Sequence, residues 1–309
     1  MNARITVGFD GTTASTEAAI WAADEAAARR VPLHVVSCLE VPMFVDPMCS
    51  GPTASAYASL QQAVVADVAR LQRTLDERHP SLTVTGESSV EAPPVALMRS
   101  LTGDDLLVVG ASHKDRLSAI VLGSTTRRVL HEAPCPVVVV RGPASRGRPD
   151  RVVVGVDGSA ASDDAVRWAA DEADLHDVEL VVVHAWSPPG GYADPPAMLV
   201  REIGEIDAAC TLERSVRVAR ARCATEVTGR LVERTAASAL LVAVVDGDLL
   251  VLGSHGRGAL RSRLFGSTVD LVLELCAVPV VVVRVPADAR PGRLGSEHDA
   301  ASVDPAPVR

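Results

Sequence analysis

The residues best placed for chemistry in this chain are glycines and hydroxyls rather than acids and bases. Gly253, Gly256, Gly266 and Ser267 spell G-x-x-G, nine residues, then G-S, between an apolar run and a segment of helical spacing. Glycine lets main-chain N–H groups approach an anion closely, and a helix starting near Ser267 adds the positive end of its dipole. Such a loop is a phosphate cradle that needs no lysine. Arg257, Arg261 and Arg263 lie within the spacer and could add guanidinium charge to outer phosphates, although loop arginines are more often simply solvated. Asp157, followed by Gly158, ends an earlier apolar run; its carboxylate can accept from ribose hydroxyls, cap the following turn, or both. No repeated carboxylate or histidine stands near the loop as a general base, and no Ser/His/Asp set is present.

The elements that must position these residues are written twice. RITVGFDGTTASTEAAIWAADEAAARRVPLHVV from Arg4 returns from Arg151 as RVVVGVDGSAASDDAVRWAADEADLHDVELVVV. DDLLVVGASHKDRLSAIVLGSTTRRVLHEAPCPVVVVR from Asp104 returns from Gly247 as GDLLVLGSHGRGALRSRLFGSTVDLVLELCAVPVVVVR. Two similar domains follow: 1–141, a linker at 142–150, 151–285, and a tail at 286–309 whose composition lacks periodicity and is expected to be disordered. Each copy alternates short β-branched runs with alanine-rich helical stretches, which implies parallel strands with right-handed crossovers. The expected fold is α/β, two tandem doubly wound domains, each a five-stranded parallel sheet with helices on both faces. Strands are expected at Ile5–Phe9, Leu33–Val36, Leu82–Thr85, Leu106–Val109 and Val137–Val140, and again at Val152–Val156, Leu180–Val183, Thr225–Val227, Leu249–Leu252 and Val280–Val283. Ligands in such sheets bind outside the strand carboxyl ends at the switch in strand order, where the first and fourth strands deliver Asp and Gly.

Gly11 and Gly158 permit a sharp turn after the first strands, and Thr12 or Thr13 and Ser159 or Ser162 offer N-caps to the helices that follow. Trp21 and Trp168 fall on the apolar stripes of those helices and read as core packing. The Pro- and Gly-rich stretches Val41–Ala56 and Ser187–Ala197 read equally as partial lids and as plain connections. The final valine strands would be sheet edges, so pairing of the two domains through them, followed by dimerisation, is expected.

Composition removes several classes. With 309 residues, 48% hydrophobic but 3% aromatic, the core must be built from Val, Leu, Ile and Ala. Lys114 is the single lysine, so no Walker A loop exists. A net charge of −9 without a basic stretch argues against a nucleic-acid surface. No apolar run approaches a membrane span, and the N-terminus enters a strand at once, so a cytoplasmic protein is expected. The six cysteines form no C-x-x-C pair and do not repeat, which disfavours zinc and disulfide frameworks. V-G-x-D-G stands where a dinucleotide enzyme would carry G-x-G-x-x-G, and neither S-G-G-x-D-S nor H-x-G-H is written.

V-G-x-D-G at both domain starts, D-L-L-V-[VL]-G before the loop, the G-x-x-G-x9-G-[ST] element and the closing P-V-V-V-V resemble a tandem universal stress protein over residues 4–141 and 151–285. The resemblance implies an adenine-nucleotide-binding, dimer-forming fold with ATP, with or without Mg2+, at the strand ends. By that likeness Asp157 contacts the nucleoside, Val183 the adenine edge, Gly253 and Gly256 the ribose and inner phosphates, and Gly266, Ser267 and Thr268 the outer phosphates. In the first copy Asp10, Val36, Gly110, Gly123, Ser124 and Thr125 take those places. There His113 replaces the second glycine, beside Lys114, and either crowds the backbone or supplies a cationic contact. The function expected is a regulatory protein whose ATP occupancy alters its conformation or its partners. A slow Mg-dependent ATP hydrolase and a module that has lost nucleotide binding are the alternatives.

Overall fold

The computed structural model describes residues 3–39, 54–111, 122–141, 148–188, 195–255 and 266–284. The first copy runs β1 (Ile5–Phe9), α1 (Thr13–Arg29), β2 (Leu33–Cys38), α2 (Ala54–Arg78), β3 (Val84–Ser89), α3 (Pro93–Met98), β4 (Leu106–Gly110), α4 (Ser124–Glu132) and β5 (Val137–Val140). The second runs β6 (Arg151–Val156), α5 (Ala160–His176), β7 (Glu179–Trp186), α6 (Pro195–Arg220), β8 (Val227–Glu233), α7 (Ala236–Ala243), β9 (Asp248–Gly253), α8 (Ser267–Leu275) and β10 (Val280–Val283).

Within each copy every strand pairing is parallel, and the order switches direction at β1/β4 and at β6/β9. The two half-sheets fuse into one ten-stranded sheet, β3-β2-β1-β4-β5-β10-β9-β6-β7-β8. The join is antiparallel, Val139 facing Val280 and Val137 facing Val282, so each all-valine strand covers the edge of the other. One face is buried under α1, α2, α5 and α6, the other under α3, α4, α7 and α8. Strands buried on both faces explain the unbroken Val and Leu runs. Trp21 is buried in the first of these layers and Trp168 packs against it, as their helical spacing predicts.

The third strands differ from expectation. They begin two residues later than Leu82 and Thr225 and run on to Ser89 and Glu233. β3 and β8 lie at the outer ends of the sheet, where solvated polar residues such as Glu87 and Arg230 continue a strand that apolar patterning alone cannot see. The linker residues 142–147, most of the two proposed lid stretches, and the tail lie outside the described residues.

Candidate functional site

Each site grows from a strand end that turns sharply into a helix. Gly11 and Gly158 have φ of +78° and +77°, a left-handed conformation that glycine adopts without strain. Just before them, the Asp10 carboxylate accepts from the Thr12 amide at 3.0 Å and its hydroxyl at 2.6 Å, and Asp157 accepts from the Ser159 amide at 2.9 Å. Thr12 and Ser159 are the N-caps, each accepting from the amide three residues on at 3.2 Å. Burial pushes the Asp10 carboxyl up, but the Thr12 and Ser15 hydroxyls and the Thr12 amide outweigh it and hold it below its ordinary value. The turn-capping role of both aspartates is therefore observed, and it fixes a carboxylate at the switch point.

Gly110 and Gly253 close the fourth strands, and their lack of a side chain has an internal cause. A Cβ on Gly110 would stand 2.4 Å from the Ala14 carbonyl oxygen, and one on Gly253 would stand 2.7 Å from that of Ala161. The strand end thus lies directly against the first turn of α1 or α5. The chain leaving each strand is held by Ala111 N–H to the Val140 carbonyl and Ser254 N–H to the Val283 carbonyl, both 3.0 Å.

Gly123 and Gly266 are of another kind. They are the N-caps of α4 and α8, with φ of −59° and −69°, and a Cβ on either would meet nothing within 4 Å. Neither helix start has a side-chain cap. Among the described residues nothing demands glycine at these two places, and both helix N-termini carry main-chain donors without a side-chain cap.

In the first copy these parts surround a cavity of about 380 Å³. Asp10, Val36, Gly110, Gly123, Ser124 and Thr125, the residues that the resemblance implies for this copy, all line it, while Gly11 forms the turn beside it. Sequence reasoning missed the apolar half of the lining: Phe9, Cys38, Pro93, Leu97 and Val109. Pro93 and Leu97 belong to the short helix α3, which only the fold brings to this edge. In the second copy Asp157, Gly158, Val183, Gly253, Gly266, Ser267 and Thr268 occupy the same strand and helix ends. Gly256, Arg257, Arg261, Arg263, His113 and Lys114 lie outside the described residues. A guanidinium that sequence reasoning missed does reach the second site: Arg214 of α6 donates to the Gly158 carbonyl at 3.2 Å and pairs with Asp163 at 2.9 Å.

The five described cysteines are free. Burial, with Asp105 adding to it, pushes the Cys135 thiol up to about 12, so it is no thiolate ligand. Among the described residues, the one group of carboxylates and imidazole close enough to share an ion is Glu25, Glu172 and His176, away from both crevices.

A doubly wound sheet with an aspartate and an uncapped glycine-led helix at each switch point defines an α/β architecture of duplicated type. The sequence profile of the universal stress protein family matches residues 1–141 and again 149–284, and the chain belongs to that family. Universal stress protein Rv2005c of Mycobacterium tuberculosis is 31% identical over 91% of this chain and 96% of its own length. A universal stress protein of Mycolicibacterium smegmatis is 34% identical with the same coverage. The crystal structure of a universal stress protein from Archaeoglobus fulgidus superposes with a TM-score of 0.63, at 19% identity, over 91% of this chain and 98% of that one, a likeness of fold.

Proposed function

We propose that this chain is a cytoplasmic stress-response regulator that binds ATP in the crevices of its two domains, 1–141 and 151–285, and acts through occupancy rather than turnover. The observation that carries this reading is Gly123 at the rim of the 380 Å³ cavity: an ordinary backbone, and no contact among the described residues that excludes a side chain. A phosphate seated on the α4 N-terminus supplies a reason to lack one. In this reading Asp10 receives the ribose hydroxyls, the apolar wall of Val36, Leu97 and Val109 receives the base, and Gly123, Ser124 and Thr125 receive the phosphates. Asp157, Val183, Gly253, Gly266, Ser267 and Thr268 do the same in the second domain. The described lining offers one carboxylate and no imidazole, which supports binding over hydrolysis.

The experiment is mass spectrometry of the nucleotide carried by the native protein, comparing wild type with Gly123→Glu and Gly266→Glu. An adenine nucleotide lost from each variant in proportion to its site supports the reading. A wild-type protein that neither carries nor takes up ATP overturns it. A homodimer belongs to the same proposal. The exposed Met198, Leu199, Ile203 and Ile206 on α6 form an apolar surface suited to a second copy, and light scattering on wild type and Ile203→Glu tests it.

A further inference from the structure

The helices α1 and α5, which wall the two crevices, meet each other where the two copies join. Glu25 of α1 and Glu172 of α5 stand at equivalent places in the repeat and are 0% and 1% exposed. The next equivalent pair is Arg29 and His176, so the repeat is broken just there. Arg29 donates from Nε to Glu25 Oε1 and from a terminal nitrogen to Glu172 Oε2, and its guanidinium lies 5.5 Å from the centre of the Trp168 ring. His176 Nε2 faces the other oxygen of each carboxylate, 2.9 Å from Glu25 Oε2 and 3.3 Å from Glu172 Oε1.

The charges decide what this cluster requires. Two carboxylates face one permanent cation, so a neutral imidazole would leave one buried negative charge without a partner, which is strongly unfavourable. Glu172 Oε1 already has no hydrogen bond despite complete burial. A proton on His176 balances the cluster and gives Nε2 the hydrogen that Glu25 accepts. The remaining charged groups nearby do not replace it. Asp171 adds further negative potential at Arg29 and is itself paired with Arg222. Arg148 donates to the main-chain carbonyl of Asp177, next along the chain. The strands beneath contribute apolar residues, Val140, Val281 and Val283.

We propose that His176 is the proton-carrying member of a latch that fastens α1 to α5, so that the hold between the two halves of the chain weakens as the surroundings turn alkaline. α1 and α5 carry the Asp10 and Asp157 turns at their other ends. Burial opposes the charge on His176, but Glu172 and Glu25 outweigh it and push its pKa up to about 9. Burial and then Glu25 push Glu172 up as well, a shift of the same sign. Raised native values mean stability that is complete below the unfolded value and is lost as pH rises. For His176 the window runs from its ordinary value of 6.5 to about 9.

The test is urea unfolding of the full chain from pH 6 to 9.5, together with the ring-nitrogen chemical shifts of His176 in histidine-labelled protein. His176→Gln identifies the resonance. The unfolding constant of wild type should rise about a hundredfold more across that window than the constant of His176→Gln. His176→Arg, which restores the residue type of the first copy and stays charged, should flatten the dependence without the overall loss. The ring should report both nitrogens protonated at pH 7.5. A neutral ring at that pH, or wild-type stability that tracks His176→Gln throughout, overturns the latch. So does a shift that moves on adding a chelator, with zinc found by elemental analysis, because the ring would then be a metal ligand and not a proton carrier.

Discussion

The crevice of the first copy and that of the second share a backbone and differ in what fills it. At the floor, the place where a Cβ on Gly8 would sit is 3.3 Å from Leu97 and 3.9 Å from Val109. At the equivalent Gly155 the distances are 2.9 Å to Leu240 and 2.8 Å to Leu252. Leu252 replaces Val109, and one extra carbon fills the space above the strand. Beside it the buried His184 donates from Nδ1 to the Val156 carbonyl at 2.7 Å, whereas Ser37 stands at the matching place in β2. The first copy lacks the second glycine of the motif, and the second copy keeps the motif over a tighter floor. The glycines divide as well, since packing dictates Gly110 and Gly253 while no contact among the described residues excludes a side chain at Gly123 and Gly266.

The largest effect expected breaks that division of the glycines. Gly110→Ala drives a methyl into the Ala14 carbonyl and should destabilise the protein by about 3 kcal/mol, with Gly253→Ala somewhat milder at its longer approach. Gly123→Ala and Gly266→Ala enter open space and should change stability by less than about 1 kcal/mol. Denaturant unfolding measures all four. Equal losses at the four positions would show that Gly123 and Gly266 are structural after all, and would remove the argument that carries the proposed function.

The next prediction exchanges the floors. Val109→Leu should weaken nucleotide binding in the first crevice about tenfold, and Leu252→Val should strengthen it in the second by a similar factor, the usual worth of one methylene in an apolar pocket. Titration calorimetry with ATP on the single variants and on the exchange double variant reads both sites. If Val109→Leu leaves affinity untouched, the base does not lie on this wall.

What the sequence made legible follows from which interactions are local. The repeat, the strand–turn–helix units and the capping residues Thr12 and Ser159 are set by neighbours within a few positions, and spacing alone finds them. The outer strands β3 and β8 run on to Ser89 and Glu233, past the apolar runs that announce them, because polar residues at the solvated ends of the sheet carry them on. Pro93 and Leu97 could not be assigned to the cavity, since α3 reaches that edge only once the sheet is assembled. The Glu25–Glu172–His176–Arg29 cluster was hidden for a related reason. Four ionisable residues on two alanine-rich helices look like solvated positions until the two copies are packed against each other. The one trace in the sequence was the repeat itself: acidic residues at matching places on the apolar side, followed by a mismatch of Arg for His.

The smallest effect expected concerns the turns that begin both sites. Asp10 is exposed and held below its ordinary carboxyl value, so its charge contributes stability above about pH 4, and that contribution disappears as pH falls further. Solvent screens such a group, and the contribution is a few tenths of a kcal/mol. Asp10→Asn keeps the side-chain oxygen that accepts from the Thr12 amide and hydroxyl, so stability at pH 7 should barely change while the acid limb of the unfolding curve becomes shallower. Asp10→Ala removes the acceptor and should cost about 1 kcal/mol at every pH, as loss of a local cap does. The nucleotide reading adds a distinct demand. An asparagine at this place can still receive one ribose hydroxyl but without the charge that strengthens the bond, so ATP affinity should fall for Asp10→Asn even where stability does not. Unchanged affinity in that variant would leave Asp10 as a turn cap alone and move the sugar's recognition elsewhere on the rim.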